Sequence, residues 1–119
     1  LLVGGMRNAL KKTNGKVAYF VNVMTKFGET HGFSASDFVN ALNKYLGDKV
    51  LDFAVLNNVR PSLQRLRGYI KEQAEFVEPD IKNIKIHKSI LPLAMDLIRS
   101  KGYIRHDPEK VLRVVKMIL

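Results

Sequence analysis

The sequence contains no cysteine and no long apolar run, and both absences exclude classes of protein. Without cysteine there is neither a disulfide bond nor a thiolate metal site. No apolar stretch reaches the roughly 18 residues of a membrane span, and no signal-peptide pattern opens the chain. A cysteine-free chain is compatible with a reducing compartment, so the expected location is the cytoplasm. The 119 residues, 46% of them hydrophobic, predict one globular unit.

The chain has fewer acidic than basic residues. The chain has 20 lysines and arginines against 11 aspartates and glutamates, a formal net charge of +9. An excess of positive charge suggests nucleic acid as a partner. The basic residues are scattered, however, and acidic residues interrupt them, whereas a nucleic-acid footprint needs a clustered stripe. We interpret the charge as solvated helix faces and expect no nucleic-acid partner; a modest attraction for anionic small molecules fits equally well.

Two apolar segments flank one amphipathic segment in the first half of the chain. Residues 16–23 and 50–56 predict buried strands. Between them, residues 34–46 carry apolar side chains at helical spacing. Ser34 and Asp37 form a capping-box pattern that starts this helix, and Gly47 ends it. Strand, helix and strand in this order predict a βαβ unit with a parallel sheet and a right-handed crossover, hence an α/β fold.

Prolines divide the second half of the chain. A helix is predicted over Pro61–Ala74, with the proline in the first turn. Short edge strands are predicted at Glu75–Val77 and Ile84–His87. Pro79 and Pro92 are expected to break this region into loops.

Both ends of the chain predict helices. The last begins with Asp107 as N-cap and Pro108 in the first helical position. The opening residues, up to about Thr13, predict another helix. The first five residues, 1–5, read like the interior of a larger protein, so we expect a fragment from which half of a site is missing.

The most informative segment is the polar loop from Asn22 to Phe33, which follows the first predicted strand. In an open parallel sheet, ligands bind beyond the carboxyl ends of the strands. The loop is longer than a plain connection there, and the helix that follows offers free N–H groups to an anion such as phosphate. Its polar residues and glycines are Asn22, Thr25, Gly28, Glu29, Thr30, His31 and Gly32. The segment predicts a ligand-binding loop; a surface loop stabilised by its own side chains is the alternative.

Three other groups have two interpretations each. His31 as a general base or metal ligand lacks a converging ligand set, so we expect a ligand-contacting or structural role and no metal. Arg105 either binds phosphate or forms a surface salt bridge. Asn57 and Asn58 either line the crevice or make an Asx turn. Nothing in the sequence has the pattern of a nucleophilic triad.

Several stretches of sequence together resemble one known family. NVMTKFGETHGFSASDFVNAL at 22–42, LNN at 56–58 and IRHDPEKV at 104–111 are similar in order and spacing to the YvcK-like gluconeogenesis factor family. LLVGGM at 1–6 resembles a further piece of that family. These bacterial proteins of the CofD-like superfamily bind uridine-diphosphate sugars. The resemblance covers all 119 residues and about a third of a member's length, so it implies a single C-terminal portion of a larger domain.

The resemblance implies a Rossmann-like, three-layer α/β/α fold with a mainly parallel sheet. It also implies a regulatory protein that binds UDP-N-acetylglucosamine or a related sugar, affects carbon metabolism and cell shape, uses no cofactor and has no established reaction. An enzyme is the alternative, because the superfamily includes 2-phospho-L-lactate transferases of deazaflavin cofactor biosynthesis. A homo-oligomer is compatible with either. By position, the ligand-facing residues would be Asn22, Met24, Thr25, Gly28, Glu29, Thr30, Gly32 and Arg105, with His31 where aspartate is common.

Overall fold

The computed structural model describes residues 15–47 and 49–118. The elements of this part of the chain, in order, are β1 (Ala18–Phe20), α1 (Ala35–Leu46), β2 (Phe53–Asn57), α2 (Leu63–Arg67), α3 (Ile81–Ile84), β3 (Leu91–Met95) and α4 (Pro108–Ile118). The predicted opening helix, up to about Thr13, lies outside the described residues. No helix within the described ranges is long and apolar enough to cross a membrane.

The three strands form one parallel sheet in the order β1-β2-β3. In the register of the sheet, Phe20 pairs with Val55 and Val55 with Leu93. Parallel neighbours need a crossover connection. Helix α1 supplies it between β1 and β2, and the segment with α2 and α3 supplies it between β2 and β3. The predicted βαβ unit and parallel sheet are confirmed.

Side chains of β2 alternate between two apolar layers, as strand geometry requires. Ala54 and Leu56 belong to the cluster that includes side chains of α1 and α3. Val55 packs instead with Leu97 and with Val114 of α4. Because each face of the sheet carries its own helices, the fold is a three-layer α/β/α arrangement, as expected.

Local capping signals fix both ends of α1. The Ser34 side chain accepts a hydrogen bond from the Asp37 backbone N–H, and the Asp37 carboxylate accepts one from the Ser34 N–H at 2.9 Å. Gly47 ends the helix at φ 94°, and its N–H donates to the Asn43 carbonyl at 2.8 Å. The positive φ explains the glycine, since other residues pay a steric cost there. The predicted capping box and C-terminal cap are confirmed.

The helix predicted over Pro61–Ala74 is wrong in extent. Helix α2 covers only Leu63–Arg67, with Ser62 as N-cap. Gly68 follows it, and turns continue to Gln73, whose φ of 53° lies in the left-handed region. Gly68, a poor helix former, stands where the helix ends. Just beyond it, the Tyr69 hydroxyl accepts a hydrogen bond from the distant Ile104 N–H at 2.8 Å.

The strands of the second half were also predicted in the wrong places. Strand β3 runs straight through Pro92, which was expected to lie in a loop. Pro92 is tolerated because β3 borders β2 alone among the described strands, and an edge strand does not need every N–H. Glu75–Val77 forms only a single antiparallel bridge, between Phe76 and Met24. Ile84–His87 is no strand: Ile84 ends α3 and is fully buried there.

Helix α4 follows the prediction. It begins at Pro108, and the Asp107 carboxylate accepts a hydrogen bond from the Glu109 N–H at 2.9 Å. That bond is the expected N-cap interaction. Val114 is the buried anchor of the helix on the sheet.

Candidate functional site

Backbone hydrogen bonds hold the first residues of the polar loop in place after β1. The Val77 N–H donates to the Val23 carbonyl at 2.8 Å, and the Thr25 N–H donates to the Glu75 carbonyl at the same distance. The Thr25 hydroxyl accepts a hydrogen bond from the Glu75 N–H at 2.9 Å. Thr25 is only 4% exposed. Its hydroxyl therefore fixes the course of the chain.

Residues 26–33 form a turn closed by its own groups. The Lys26 N–H donates to the Thr30 hydroxyl at 2.7 Å, and the Thr30 N–H donates to the Lys26 carbonyl at 2.8 Å. Gly28 and Gly32 have φ of +84° and +76°. A Cβ added to either glycine would meet nothing within 4 Å. Both glycines are thus explained by positive φ, not by close approach of another part of the protein.

Three of the predicted ligand residues open onto one groove. Asn22, Glu29 and Thr30 line a groove of about 480 Å³ beside β1 and one flank of α1. Its remaining walls are apolar and aromatic: Tyr19, Phe33, Phe38, Ala41, Leu42 and Tyr45. Burial raises the pKa of the Tyr19 phenol above its usual value. A few polar groups among apolar walls are the usual composition of a small-molecule site. We refer to this feature as the aromatic groove.

Two other predicted residues line a different cavity. Thr25 and Gly32 border a space of about 430 Å³ together with Arg60, Phe76 and Glu78. The Arg60 guanidinium forms an ion pair with the Glu78 carboxylate and lies 4.8 Å from the centre of the Phe76 ring. The predicted set is therefore divided between two sides of the 26–33 turn.

Met24 and His31 face neighbouring protein groups. Met24 packs against the apolar cluster of Val23, Ile98 and Ile104 at the carboxyl end of the sheet. His31 Nδ1 lies 3.3 Å from the Glu75 carboxylate. Among the described residues, no group of three or more histidine, aspartate or glutamate side chains could hold a metal ion.

The amino terminus of α1 is occupied by protein acceptors, contrary to the expectation of free N–H groups. The Ala35 N–H donates to the Glu78 carbonyl at 2.9 Å, and the Ser36 N–H donates to the Asp80 carboxylate at 2.8 Å. The Ser36 hydroxyl also donates to Asp80. Because a carboxylate already fills this position, a phosphate would be repelled from it.

Arg105 lies on a segment that returns to the carboxyl end of β1. Its side chain is exposed, and its carbonyl accepts a hydrogen bond from the Arg99 N–H at 3.1 Å. The next residue, His106, places Nε2 3.2 Å from the Val21 carbonyl, one residue before Asn22. Burial lowers the pKa of His106, although the contact with Val21 opposes this. The fold thus brings the Arg105 segment beside the segment that carries Asn22.

The Asn57 side chain is structural. It is 6% exposed, and its Oδ1 accepts hydrogen bonds from Leu97 N–H at 3.2 Å and Val59 N–H at 3.3 Å. The second bond makes the Asx turn that was one of the two interpretations. Asn58 is exposed at the end of β2, and its N–H donates to the Met95 carbonyl.

Sequence reasoning missed the aromatic walls of the groove and the residues that hold the Arg105 segment. Tyr19 and Phe33 carry no motif, and only the topology brings them to the same groove. Tyr69 contacts the Ile104 N–H, and Arg65 donates to the Gly102 carbonyl at 3.2 Å. Arg60, which follows the buried strand β2 closely, was the one available signal for a further group at this edge.

Comparison with known proteins agrees with this fold. The family model described as 2-phospho-L-lactate transferase CofD matches residues 1–97. A Thermotoga maritima protein provisionally named gluconeogenesis factor is 39% identical over 121 residues, across 99% of this chain and 38% of its own length. A Bacillus subtilis protein named gluconeogenesis factor is 31% identical, across 100% of this chain and 38% of its own length.

A solved structure has the same architecture. The crystal structure of a UPF0052-family protein from Bacillus halodurans matches with a TM-score of 0.88 and 29% identity, over 97% of this chain and 37% of that one. The chain therefore spans little more than a third of the length of these relatives. Because the family model covers most of its residues, the chain belongs to the CofD family, and within it the chain is similar to the gluconeogenesis factors.

Proposed function

We propose that this chain is the C-terminal portion of a cytoplasmic regulatory protein that binds a nucleotide sugar of the UDP-N-acetylglucosamine type. In this proposal the protein acts in carbon metabolism and in cell-wall and cell-shape control. The observation that carries the proposal is the aromatic groove, where Asn22, Glu29 and Thr30 converge at the carboxyl end of β1. Parallel α/β sheets bind ligands at this edge.

The groups on the groove suit the uncharged parts of such a ligand. The Asn22 amide offers both donors and an acceptor, and the Glu29 carboxylate accepts hydrogen bonds from sugar hydroxyls. The Thr30 hydroxyl keeps acceptor capacity beyond its bond to the Lys26 N–H. Tyr19 and Phe33 supply flat apolar surface against which a base or a sugar ring packs.

The diphosphate needs a cation outside the groove. Glu29 is 3.6 Å from the Lys26 ammonium, so the negative charge on this side is partly compensated. Arg105, on the neighbouring segment, is the candidate for a charge-assisted contact with the diphosphate. Since the chain spans 38% of the length of each of these two relatives, we assign the remaining contacts to other parts of the protein.

Calorimetry with UDP-N-acetylglucosamine tests the proposal on the natural full-length protein. We expect binding, and we expect Asn22→Ala and Arg105→Ala each to weaken it by about 1 kcal/mol, the typical contribution of one hydrogen bond. Asn58→Ala is the matched control, because Asn58 is exposed at the end of the next strand and, within residues 15–47 and 49–118, bonds to Met95 through its backbone N–H. Absence of heat at millimolar ligand would reject nucleotide-sugar binding. Equal losses in all three variants would reject the assigned residues.

A transferase is the second candidate function, supported by the description of the matching family model. That model stops at residue 97 and so excludes the Arg105 segment. An assay of phospholactate transfer by the full-length protein separates the two candidates. We expect no turnover; measurable turnover would make the transferase the better assignment.

A further inference from the structure

The flank of α1 opposite the aromatic groove carries a cluster of amide side chains that the proposed function does not use. Between α1 and α3 lies an open groove of about 810 Å³. Asparagines from both helices line it, namely Asn40, Asn43 and Asn83, together with Lys44 and His87. We refer to it as the amide groove. Its volume is within the range of small-molecule sites.

Two of these asparagines stand in the interior of a helix, where they are locally unfavourable. Asn40 and Asn43 are three residues apart in α1 and so project from the same side. Asparagine is a weak helix former, because its side chain competes for backbone hydrogen bonds. Capping does not explain either residue, since Ser34 and Gly47 hold those positions.

One amide that lines the groove has an oxygen without a hydrogen-bond partner among the described residues. The Oδ1 atom of Asn43 is buried and has no hydrogen-bond partner among the described residues. Buried polar atoms in folded proteins nearly always have a partner. The unpaired oxygen therefore marks Asn43 as the side chain of this groove whose hydrogen bonding the described residues leave incomplete.

Hydrogen bonds within the protein hold the walls of the amide groove in place before any ligand binds. The Asp80 carboxylate joins the two helices, because it accepts from the Ser36 N–H at 2.8 Å and from the Asn83 amide at 2.9 Å. His87 Nε2 and Asn40 Oδ1 are 2.6 Å apart. Such preorganisation lowers the entropy cost of binding.

We infer that the amide groove is a second binding site, for a small neutral molecule rich in hydroxyl groups. A hydroxyl both donates and accepts, and a carboxamide offers both complements. Two charges act on an anion here: the Lys44 ammonium in the lining would attract it, and the Asp80 carboxylate beside the groove would repel it, so phosphate is the comparison that decides between a neutral and an anionic ligand. The exposed Ile86 side chain at the rim provides apolar surface for the C–H face of a ring. The site does not depend on the proposed nucleotide-sugar site.

Heteronuclear correlation spectra of the isotope-labelled full-length protein test the inference. The probes are glucose, myo-inositol and glycerol, with inorganic phosphate as the charged comparison. We expect glucose or inositol to shift the side-chain NH₂ signals of Asn40, Asn43 and Asn83, while those of Asn22 and Asn58 stay in place. Signals are assigned by their loss in the single alanine variants.

Asn43→Ala provides the decisive variant. We expect it to weaken the binding of the polyol about tenfold, as the loss of one hydrogen bond predicts. Because alanine is the better helix former, we also expect no fall in Tm, so lost binding cannot be ascribed to unfolding. Asn58→Ala should leave polyol binding unchanged. The inference is overturned if no neutral probe moves the three amide signals, if phosphate moves them more, or if Asn43→Ala binds polyol as well as the unchanged protein.

Discussion

The two flanks of helix α1 offer opposite chemistry although one element carries both. The flank toward β1 presents an aromatic and aliphatic surface, and the flank toward α3 presents two amides and a lysine. Phe38 and Leu42 stand on the first flank, whereas Asn40 and Asn43 stand on the second. The helical repeat separates them, because residues one or two positions apart do not face the same way.

Because of this difference, we expect the two grooves to bind different ligands. The aromatic groove combines three polar side chains, Asn22, Glu29 and Thr30, with walls that suit flat or apolar parts of a molecule. The amide groove has many donors and acceptors and little apolar surface, Ile86 apart. Both rest on the same buried cluster beneath α1, which includes Val39 and Ile84. Substitutions in that cluster, at the junction of α1 with α3 and in the wall of the aromatic groove therefore test how the two flanks differ.

The largest effect is expected from Ile84→Ala, which removes the fully buried anchor of α3. Truncation of a buried isoleucine costs about 2–5 kcal/mol of the free energy of unfolding, from lost burial and a residual cavity. Ile86→Ala is the matched control, because Ile86 is 74% exposed only two positions away, and it should change this free energy by less than about 0.5 kcal/mol. Urea denaturation measures both. Equal losses would show that α3 does not depend on this anchor.

A smaller effect is expected from Asp80→Ala, which separates α1 from α3 at their junction. The substitution leaves the Ser36 N–H and hydroxyl without their acceptor. The expected loss is about 1–3 kcal/mol of the free energy of unfolding. Asp80→Asn keeps one acceptor oxygen and should lose less. An alanine variant as stable as the unchanged protein would contradict the structural role of Asp80.

The same carboxylate predicts a dependence on pH. Burial raises the pKa of Asp80, but hydrogen bonds from Ser36 and Asn83 outweigh it and leave this pKa below its usual value of 3.8. The charged form is therefore favoured in the folded state. The stability contributed by Asp80 is present above about pH 3.8 and is lost as the pH falls through the lower folded pKa. The stability difference between the unchanged protein and Asp80→Asn should shrink over that range.

The smallest effect concerns Tyr19 on the aromatic flank. Burial raises the pKa of its phenol above the usual value of 10.0, so the folded state favours the neutral form. The corresponding stability is fully present below pH 10.0 and is lost as the pH rises through the folded pKa. An ultraviolet absorbance titration should show a late tyrosine phase that Tyr19→Phe removes and Asn40→Ala retains. Bound UDP-N-acetylglucosamine should delay it further, because the ligand buries the phenol more deeply.

The fold could be predicted wherever short-range signals act. Ser34, Asp37 and Gly47 specified both ends of α1, and Asp107 with Pro108 specified the start of α4. Strand β3 could not be found this way, because its Pro92 normally indicates a break and is acceptable only on an edge strand.

The candidate site was predictable to a lesser degree. The two glycines of the 26–33 turn were expected among the ligand-facing residues, and in the structure both adopt positive φ. The same loop was expected to expose Thr25 and the amino terminus of α1 to a ligand. Instead, the Thr25 hydroxyl accepts a hydrogen bond from the Glu75 N–H, and the Ser36 N–H donates one to the Asp80 carboxylate. Those partners lie 50 and 44 residues away along the chain, beyond the reach of any local pattern.

The α/β class, the two ends of α1, the start of α4 and the loop that follows β1 could be inferred from the sequence alone, because caps, glycines and apolar spacing act over a few residues. Which polar groups remain available at the surface depends on the tertiary structure. Asn22, Glu29 and Thr30 line the aromatic groove, whereas the side chains of Thr25 and Asn57 are hydrogen-bonded to backbone groups. The physical reason is that a buried polar group must find a hydrogen-bond partner, and the fold decides which distant residue supplies it.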